Sequence, residues 1–503
     1  LWYRKEILFE RWNVKTERRH MLLHFGAVDQ CAVVYINGKK QGKHVGGYLP
    51  FSYDITEALK EEKNLLTVKV RDYSETCYYS RGKQKLKNGG MFYTAQSGIW
   101  QTVWIEKVPE CYIGHLKITP LYDQSSIMIQ MEEEHGIKDI DYEVTITARK
   151  MWPVKASGKT GKPCVIMIPH MRSWSPEDPF LYDLHVRMGE DSVESYFAMR
   201  KVEVKNDKEG IARIFLNNEP YFEKGVLDQG YWPDGLYTPP CDEAMIYDIQ
   251  KMKDLGFNMI RKHIKIEPQR WYYHCDRIGM LVWQDMVNGG REYKSWYVTW
   301  LATAMEGTHI RAKDTRLHLM GRQDPTGQKQ FESEMKETIR RLYNHPSVVT
   351  WVIFNEGWGQ FKTRKMTDIA LAEDHTRLID SASGWFDQGC GDIKSIHDYF
   401  FPLNITPEKR VTALTEFGGY SLQIPKHSMY EKDIYGYKIF KRKKDLSRAY
   451  EKLIKKLVIP NISRGLSATV YTQLSDIEEE VNGILSYDRK IVKIDENVVR
   501  EWN

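Results

Sequence analysis

The sequence predicts two β-sandwiches followed by a (β/α)8 barrel, and three observations carry that expectation. Short runs of alternating apolar and polar residues fill positions 1 to about 203. From about 204 the rhythm changes to short apolar runs separated by helical segments. The length, 503 residues, exceeds one ordinary core, and about 150 residues per domain gives about three folded units.

Residues 1–108 form the first expected sandwich, with runs such as CAVVYING at 31–38 and NLLTVKVRD at 64–72. Asn37-Gly38 is a two-residue hairpin turn, since both residues accept the positive φ such turns need. Residues 109–203 carry YIGHLKITP, YEVTITARK and LYDLHVRM and have the length of a small immunoglobulin-like sandwich. The barrel is expected over 204–503. Its eight candidate strands are Phe222 to Asp228, Asn258 to His263, Met280 to Trp283, Val348 to Asn355, Thr376 to Ala382, Ser395 to Tyr399, Arg410 to Glu416 and Leu466 to Gln473. Helical runs such as ESEMKETIRRLYN and LSRAYEKLIKKLV between them imply parallel strands joined by crossovers. The aromatic, glycine-punctuated stretch from about Asn288 to Asp324 is a candidate lid.

Composition excludes several classes. The 73 Lys and Arg nearly balance the 68 Asp and Glu, so nothing demands nucleic acid or an acidic membrane. No run of about 18 apolar residues is present to span a bilayer. Seven cysteines, scattered singly, read as thiols of a reducing compartment, so a cytoplasmic location is expected. The chain opens at Leu1 within a strand-like run, which leaves its true start and export open. No phosphate-cradling glycine loop, metal-ligand cluster or Ser/His/Asp arrangement stands out, so no obligatory cofactor and no metal are expected, and oligomeric state is left open.

In a barrel, reactive groups lie where strands end and loops begin. Val348-Val349-Thr350-Trp351-Val352-Ile353-Phe354 ends in Asn355-Glu356, and Val411-Thr412-Ala413-Leu414-Thr415 ends in Glu416. A carboxylate straight after a buried strand is costly unless paired or functional. Two of them, on candidate strands four and seven, can meet across the mouth. One could protonate a leaving oxygen while the other attacks an anomeric carbon, the pair that glycosidic cleavage requires.

The run Tyr343-Asn344-His345-Pro346-Ser347-Val348-Val349-Thr350-Trp351 through Asn355-Glu356 resembles the acid/base signature of glycoside hydrolase family 2. Val34-Tyr35-Ile36-Asn37-Gly38, Gly46-Gly47-Tyr48 and Ser97-Gly98-Ile99-Trp100-Gln101 are similar to that family's sugar-binding sandwich. The resemblance implies a jelly-roll sandwich, an immunoglobulin-like sandwich and a TIM barrel. It also implies a retaining exo-β-glycosidase acting by double displacement on a carbohydrate substrate. In that reading Glu356 is the acid/base, Glu416 the nucleophile, Asn355 the amide that bonds the sugar 2-hydroxyl, and Arg261 an arginine close to the nucleophile.

Further substrate-binding candidates are strand-end residues: Asp228, Gln229 and Trp232 after strand one, His263 after strand two, and Trp283 and Asp285 after strand three. His397, Asp398 and Tyr399 follow strand six, and Gln473 and Asp476 follow strand eight. Many family members carry Arg-x-Ser-His-Tyr-Pro, whereas this chain reads Arg261-Lys262-His263-Ile264-Lys265-Ile266, which leaves the sugar open. Family members specific for glucuronides carry Asn-x-Lys after strand eight; here Glu480 and Asn482 stand at those positions, so a neutral β-galactoside is expected. Lys262 and Lys265 are the alternative cations, and β-glucuronidase, β-mannosidase, α-L-arabinopyranosidase and a non-catalytic carbohydrate-binding protein are the alternative readings.

Overall fold

The computed structural model describes residues 1–9, 19–301, 312–400, 403, 405–432 and 434–503. The chain divides into two compact units. One holds Leu1–Tyr73, Ser97–Arg200 and Tyr343–Pro346; the other holds Ser74–Gln96, Lys201–Leu342 and Ser347–Asn503.

The first unit is antiparallel. Strands Trp2–Leu8, Lys63–Arg71, Cys31–Ile36 and Lys39–Val45 form one sheet in that spatial order, and Val103–Pro109, Arg19–Phe25 and Phe51–Asp54 form another. Asn37 and Gly38 both have positive φ (52° and 82°), so the hairpin between Ile36 and Lys39 is the one the sequence predicts. The second pair of sheets joins Ile113–Leu121, Ser126–Glu133 and Cys164–Met167, and Val154–Lys159, Asp141–Thr147, Tyr182–Met188 and Asp191–Phe197. Tyr182–Met188 is buried at every second residue, the period a half-covered strand imposes. Tyr343–Pro346 belongs with this unit: the Asn344 side chain accepts the Ile118 N–H at 2.9 Å and donates to the Leu116 carbonyl at 2.6 Å.

In the second unit all eight expected barrel strands form one parallel sheet. They are labelled β1 Glu223–Asp228, β2 Met259–Lys262, β3 Leu281–Asp285, β4 Val348–Val352, β5 Leu378–Asp380, β6 Ile393–Asp398, β7 Val411–Gly418 and β8 Leu466–Thr472. The spatial order is β5-β4-β3-β2-β1-β8-β7-β6. Between β5 and β6 the Asp392 N–H donates to the Ile379 carbonyl and the Asp392 carboxylate accepts the Ile379 N–H, each at 2.8 Å, which draws the two ends together. β4, β7 and β8 are buried at every residue, as strands covered on both faces must be. Helices α1 Asp242–Asp254, α2 Gln269–Ile278, α3 Pro325–Leu342, α4 Thr363–Glu373 and α5 Lys443–Leu453 follow β1, β2, β3, β4 and β7. Residues 381–392 join β5 to β6 without a helix. Among the described residues no helix is long and apolar enough to cross a membrane. The candidate lid falls in part on 302–311, outside the described residues; its start is fixed by the Gly290 N–H on the Tyr79 carbonyl at 3.0 Å.

Candidate active site

Strand ends deliver the two glutamates to one point. Glu356 lies four residues beyond the last β4 residue, Val352, in the left-handed region (φ 50°), a conformation that costs a non-glycine residue about 1 kcal/mol or more. Pairing with residue 383 holds it there: the Glu356 N–H donates to the Ser383 carbonyl at 3.0 Å, and the Ser383 N–H donates to Phe354 at 2.8 Å. Glu416 sits inside β7. The register with β6 passes from Ile396–Leu414 to His397–Glu416, so Thr415 is an extra residue that re-aims the next side chain. One carboxylate oxygen of each glutamate and a ring nitrogen of His397 lie within 4.8 Å of one another.

His397 lies between the pair, Nδ1 2.9 Å from Glu356 Oε1 and Nε2 3.7 Å from Glu416 Oε1. Burial would lower its pKa, but Glu416 and Glu356 outweigh burial and raise it.

Arg261 is fully buried with all five N–H donors used. Nε and Nη2 each meet Asp285 at 3.0 Å, Nη2 also meets Asn355 Oδ1 at 2.8 Å, and Nη1 meets the Thr415 carbonyl at 3.1 Å and Glu416 Oε1 at 3.3 Å. The Tyr399 hydroxyl donates to Glu416 Oε2 at 2.7 Å. Burial would raise the Glu416 pKa, but its electrostatic interactions with His397, His263, Arg261 and Lys83 prevail and hold it at about 2. Asp285 also takes His263 Nδ1 at 2.8 Å. Burial, followed by the nearby Lys83, drives the His263 pKa well below the ordinary histidine value. The Asn355 amide N–H2 is buried without a partner, a donor left for a ligand.

Several other candidates are engaged elsewhere. Asp228 pairs with Lys262, which also meets Glu267 at 2.8 Å; Lys265 meets Glu267 at 2.9 Å and the Gly230 and Tyr237 carbonyls. The two lysines proposed from sequence as cations for an acidic sugar are therefore satisfied internally. Trp283 is fully buried and its indole N–H donates to Glu223 at 2.6 Å. Gln473 donates to Asn482 Oδ1 at 2.7 Å, and Asp476 pairs with Lys493. Gln229 and Trp232 are buried, each with a side-chain nitrogen lacking a partner, and the Asp398 carboxylate caps the Phe400 N–H at 3.0 Å.

Sequence reasoning missed the segment Ser74–Gln96. It leaves the first sandwich after Tyr73 and lies with the barrel. Glu478 accepts the Asn88 side chain at 2.7 Å and the Thr94 N–H at 2.9 Å, Glu479 accepts the Gly90 N–H at 2.8 Å, and Glu480 accepts the Tyr93 hydroxyl. The three consecutive glutamates are thus a clasp on this segment and not a solvated surface. The segment carries Lys83, whose ammonium lies 5.4 Å from the ring centroid of Trp358, two residues after Glu356, and 5.8 Å from that of Tyr93. The available signal was length: a stretch of this size without strand alternation inside a sandwich is uncommon unless it serves a site.

Comparisons with known proteins agree with this architecture. Residues 1–109 match the sugar binding domain of glycosyl hydrolases family 2, residues 111–200 a further domain of glycosyl hydrolases family 2, and residues 240–415 that family's TIM barrel domain. A β-galactosidase of Lactococcus lactis is 24% identical over 370 residues, 73% of this chain and 34% of that protein. A β-glucuronidase of Streptococcus agalactiae is 25% identical over 377 residues, 71% of this chain and 58% of that protein. The chain thus spans less than two thirds of the length of these curated relatives. The solved β-glucuronidase of an uncultured Clostridium sp. has the same fold, with TM-score 0.77 and 18% identity over 100% of this chain and 87% of that one. With all three of its domain types matched in order, the chain belongs to glycoside hydrolase family 2.

Proposed function

We propose that the protein is a retaining exo-β-glycosidase in which Glu416 is the nucleophile and Glu356 the general acid/base. The observation that carries this reading is the separation of the two carboxylates, an oxygen of each within 4.8 Å of the other. Retaining enzymes hold the pair about 5–5.5 Å apart, whereas inverting ones leave about 6.5–9.5 Å for a water. In the first step a Glu416 oxygen bonds the anomeric carbon, the glycosidic C–O bond breaks, and the Glu356 proton goes to the departing oxygen. In the second step Glu356 takes a proton from water, the water oxygen bonds the anomeric carbon, and the ester to Glu416 breaks. Arg261 and His397 favour the ionised nucleophile, and the Asn355 amide is a free donor for a sugar hydroxyl. A non-catalytic binding protein would have no use for a nucleophile kept ionised in this way.

The sugar is a β-linked hexoside. The β-galactoside expected from sequence rests on the Glu480–Asn482 corner, where Asn482 donates to Glu480 Oε1 at 2.9 Å and holds Gln473. A second reading, an acidic hexoside, is favoured by Lys83 and is taken up below. The mechanism is tested by following the anomeric proton during hydrolysis of a 4-nitrophenyl β-glycoside. The β-hemiacetal is expected first; an α-hemiacetal first would overturn the retaining assignment.

A further inference from the structure

We infer that Lys83 forms an anion-binding position in the sugar pocket, so that the enzyme takes β-hexuronides through their carboxylate. This rests on the glycosidase reading above and narrows its substrate class. Lys83 is only 7% exposed, and among the described residues no carboxylate lies within ion-pair distance of its ammonium. A cation this little exposed and without a counter-ion is costly to keep. What surrounds it instead are the faces of Trp358 and Tyr93, which attract a cation without neutralising it.

Two further observations point the same way. Arg81, also buried and on the same segment, donates to the carbonyls of Gln84 and Gly290 and among the described residues is bonded to no carboxylate. The acids nearest in sequence to the family's anion-binding corner, Glu478, Glu479 and Glu480, are spent on backbone N–H groups, an asparagine and a tyrosine of the segment that bears Lys83, and none is bonded to Lys83 itself. Acidity at that corner therefore does not argue for a neutral sugar; it anchors a cation arriving from the sandwich side of the chain. Trp358, whose ring the Lys83 ammonium faces at 5.4 Å, stands two residues after Glu356, which brings the cation to the side of the pocket that bears the candidate acid/base.

The test compares kcat/KM for 4-nitrophenyl β-glucuronide, β-galacturonide and β-galactoside in the wild-type chain, Lys83→Met and Lys83→Arg. At least one uronide is expected to exceed the galactoside in the wild type. Lys83→Met should lower the uronide values by about 10- to 100-fold more than the galactoside value, chiefly through KM, as loss of one charged hydrogen bond predicts. Lys83→Arg should keep the uronide preference. Should the methionine variant not fold, inhibition of the wild type by free D-glucuronate and D-galacturonate against D-galactose decides, with tighter inhibition by an acid expected. A wild type that prefers the galactoside, equal losses on all three substrates, or tighter inhibition by galactose overturns the role of Lys83 and leaves the glycosidase standing. Hydrolysis of none of the three, with no covalent trapping of Glu416 by 2-deoxy-2-fluoro glycosides of these sugars, overturns the glycosidase reading and this one with it.

Discussion

Two buried charge networks start from neighbouring residues of β2 and are built to opposite ends. Arg261 ties Asp285, Asn355 and Glu416 together, yet the network stays open: Glu416 and Glu356 lie side by side with His397 between them, and the Asn355 N–H2 has no partner. Lys262, the next residue, joins Asp228 and Glu267, and Lys265 returns to Glu267 and two carbonyls, so both lysines are spent within the protein and a single Glu267 oxygen is left over. The lesson is that strand-end charge at a barrel mouth is not by itself a site. What distinguishes the two is what each leaves over: beside Arg261 an amide N–H2 without a partner next to a pair of carboxylates, beside Lys262 and Lys265 a single Glu267 oxygen.

Substitutions that separate the networks sharpen this comparison. Glu416→Gln should lower kcat by about four orders of magnitude or more on any substrate while the melting temperature changes by a few degrees at most, since shape is preserved and the nucleophile is lost. Retention of even a tenth of the activity would remove Glu416 from the role given it. Glu356→Gln should cost about 10²- to 10⁴-fold on an alkyl β-glycoside and far less on a 2,4-dinitrophenyl one, whose leaving group departs without a proton. Equal losses on both would contradict acid catalysis by Glu356.

On the other side, Lys262→Met leaves Asp228 without its cation in a fully buried place and should destabilise the fold by about 3–5 kcal/mol, measured by urea unfolding. The kcat/KM of the folded fraction should change little; a fall as large as that of Glu356→Gln would mean the two networks are one.

The smallest effect is on pH dependence. The Glu416 pKa is depressed in the folded chain, to about 2, so its contribution to stability is present above the unfolded carboxylate value of about 4.3 and is lost as pH falls toward 2. Relative to Glu416→Gln, the wild type should therefore lose roughly 2–4 kcal/mol between about pH 5 and pH 2 and nothing further above pH 5. A difference that grows toward alkaline pH would show that another group governs it.

The barrel was legible because parallel strands covered on both faces read as apolar runs, and all eight were found near their expected positions. Glu356 and Glu416 were legible because each carboxylate ends such a run. Lys262 and Lys265 looked as available as Arg261 in the sequence, and only packing revealed that their charges are consumed locally. Trp283 looked like a mouth residue because it ends a strand, but its side chain faces Glu223 and is fully buried.

By itself the sequence determined which segments are strands, the order of the two sandwiches and the barrel, and the two glutamates that strand ends bring forward. Those follow from the local period of burial and from the short reach between a strand and the loop that leaves it. The meeting of Ser74–Gln96 with Glu478, Glu479 and Glu480 joins residues almost four hundred positions apart; Asn88 and Glu478 are separated by 390. No periodicity encodes such a pairing, because it depends on the closed geometry of the barrel. Only the tertiary structure therefore decided that Lys83, from the first hundred residues of the chain, faces the ring of Trp358, two residues after Glu356.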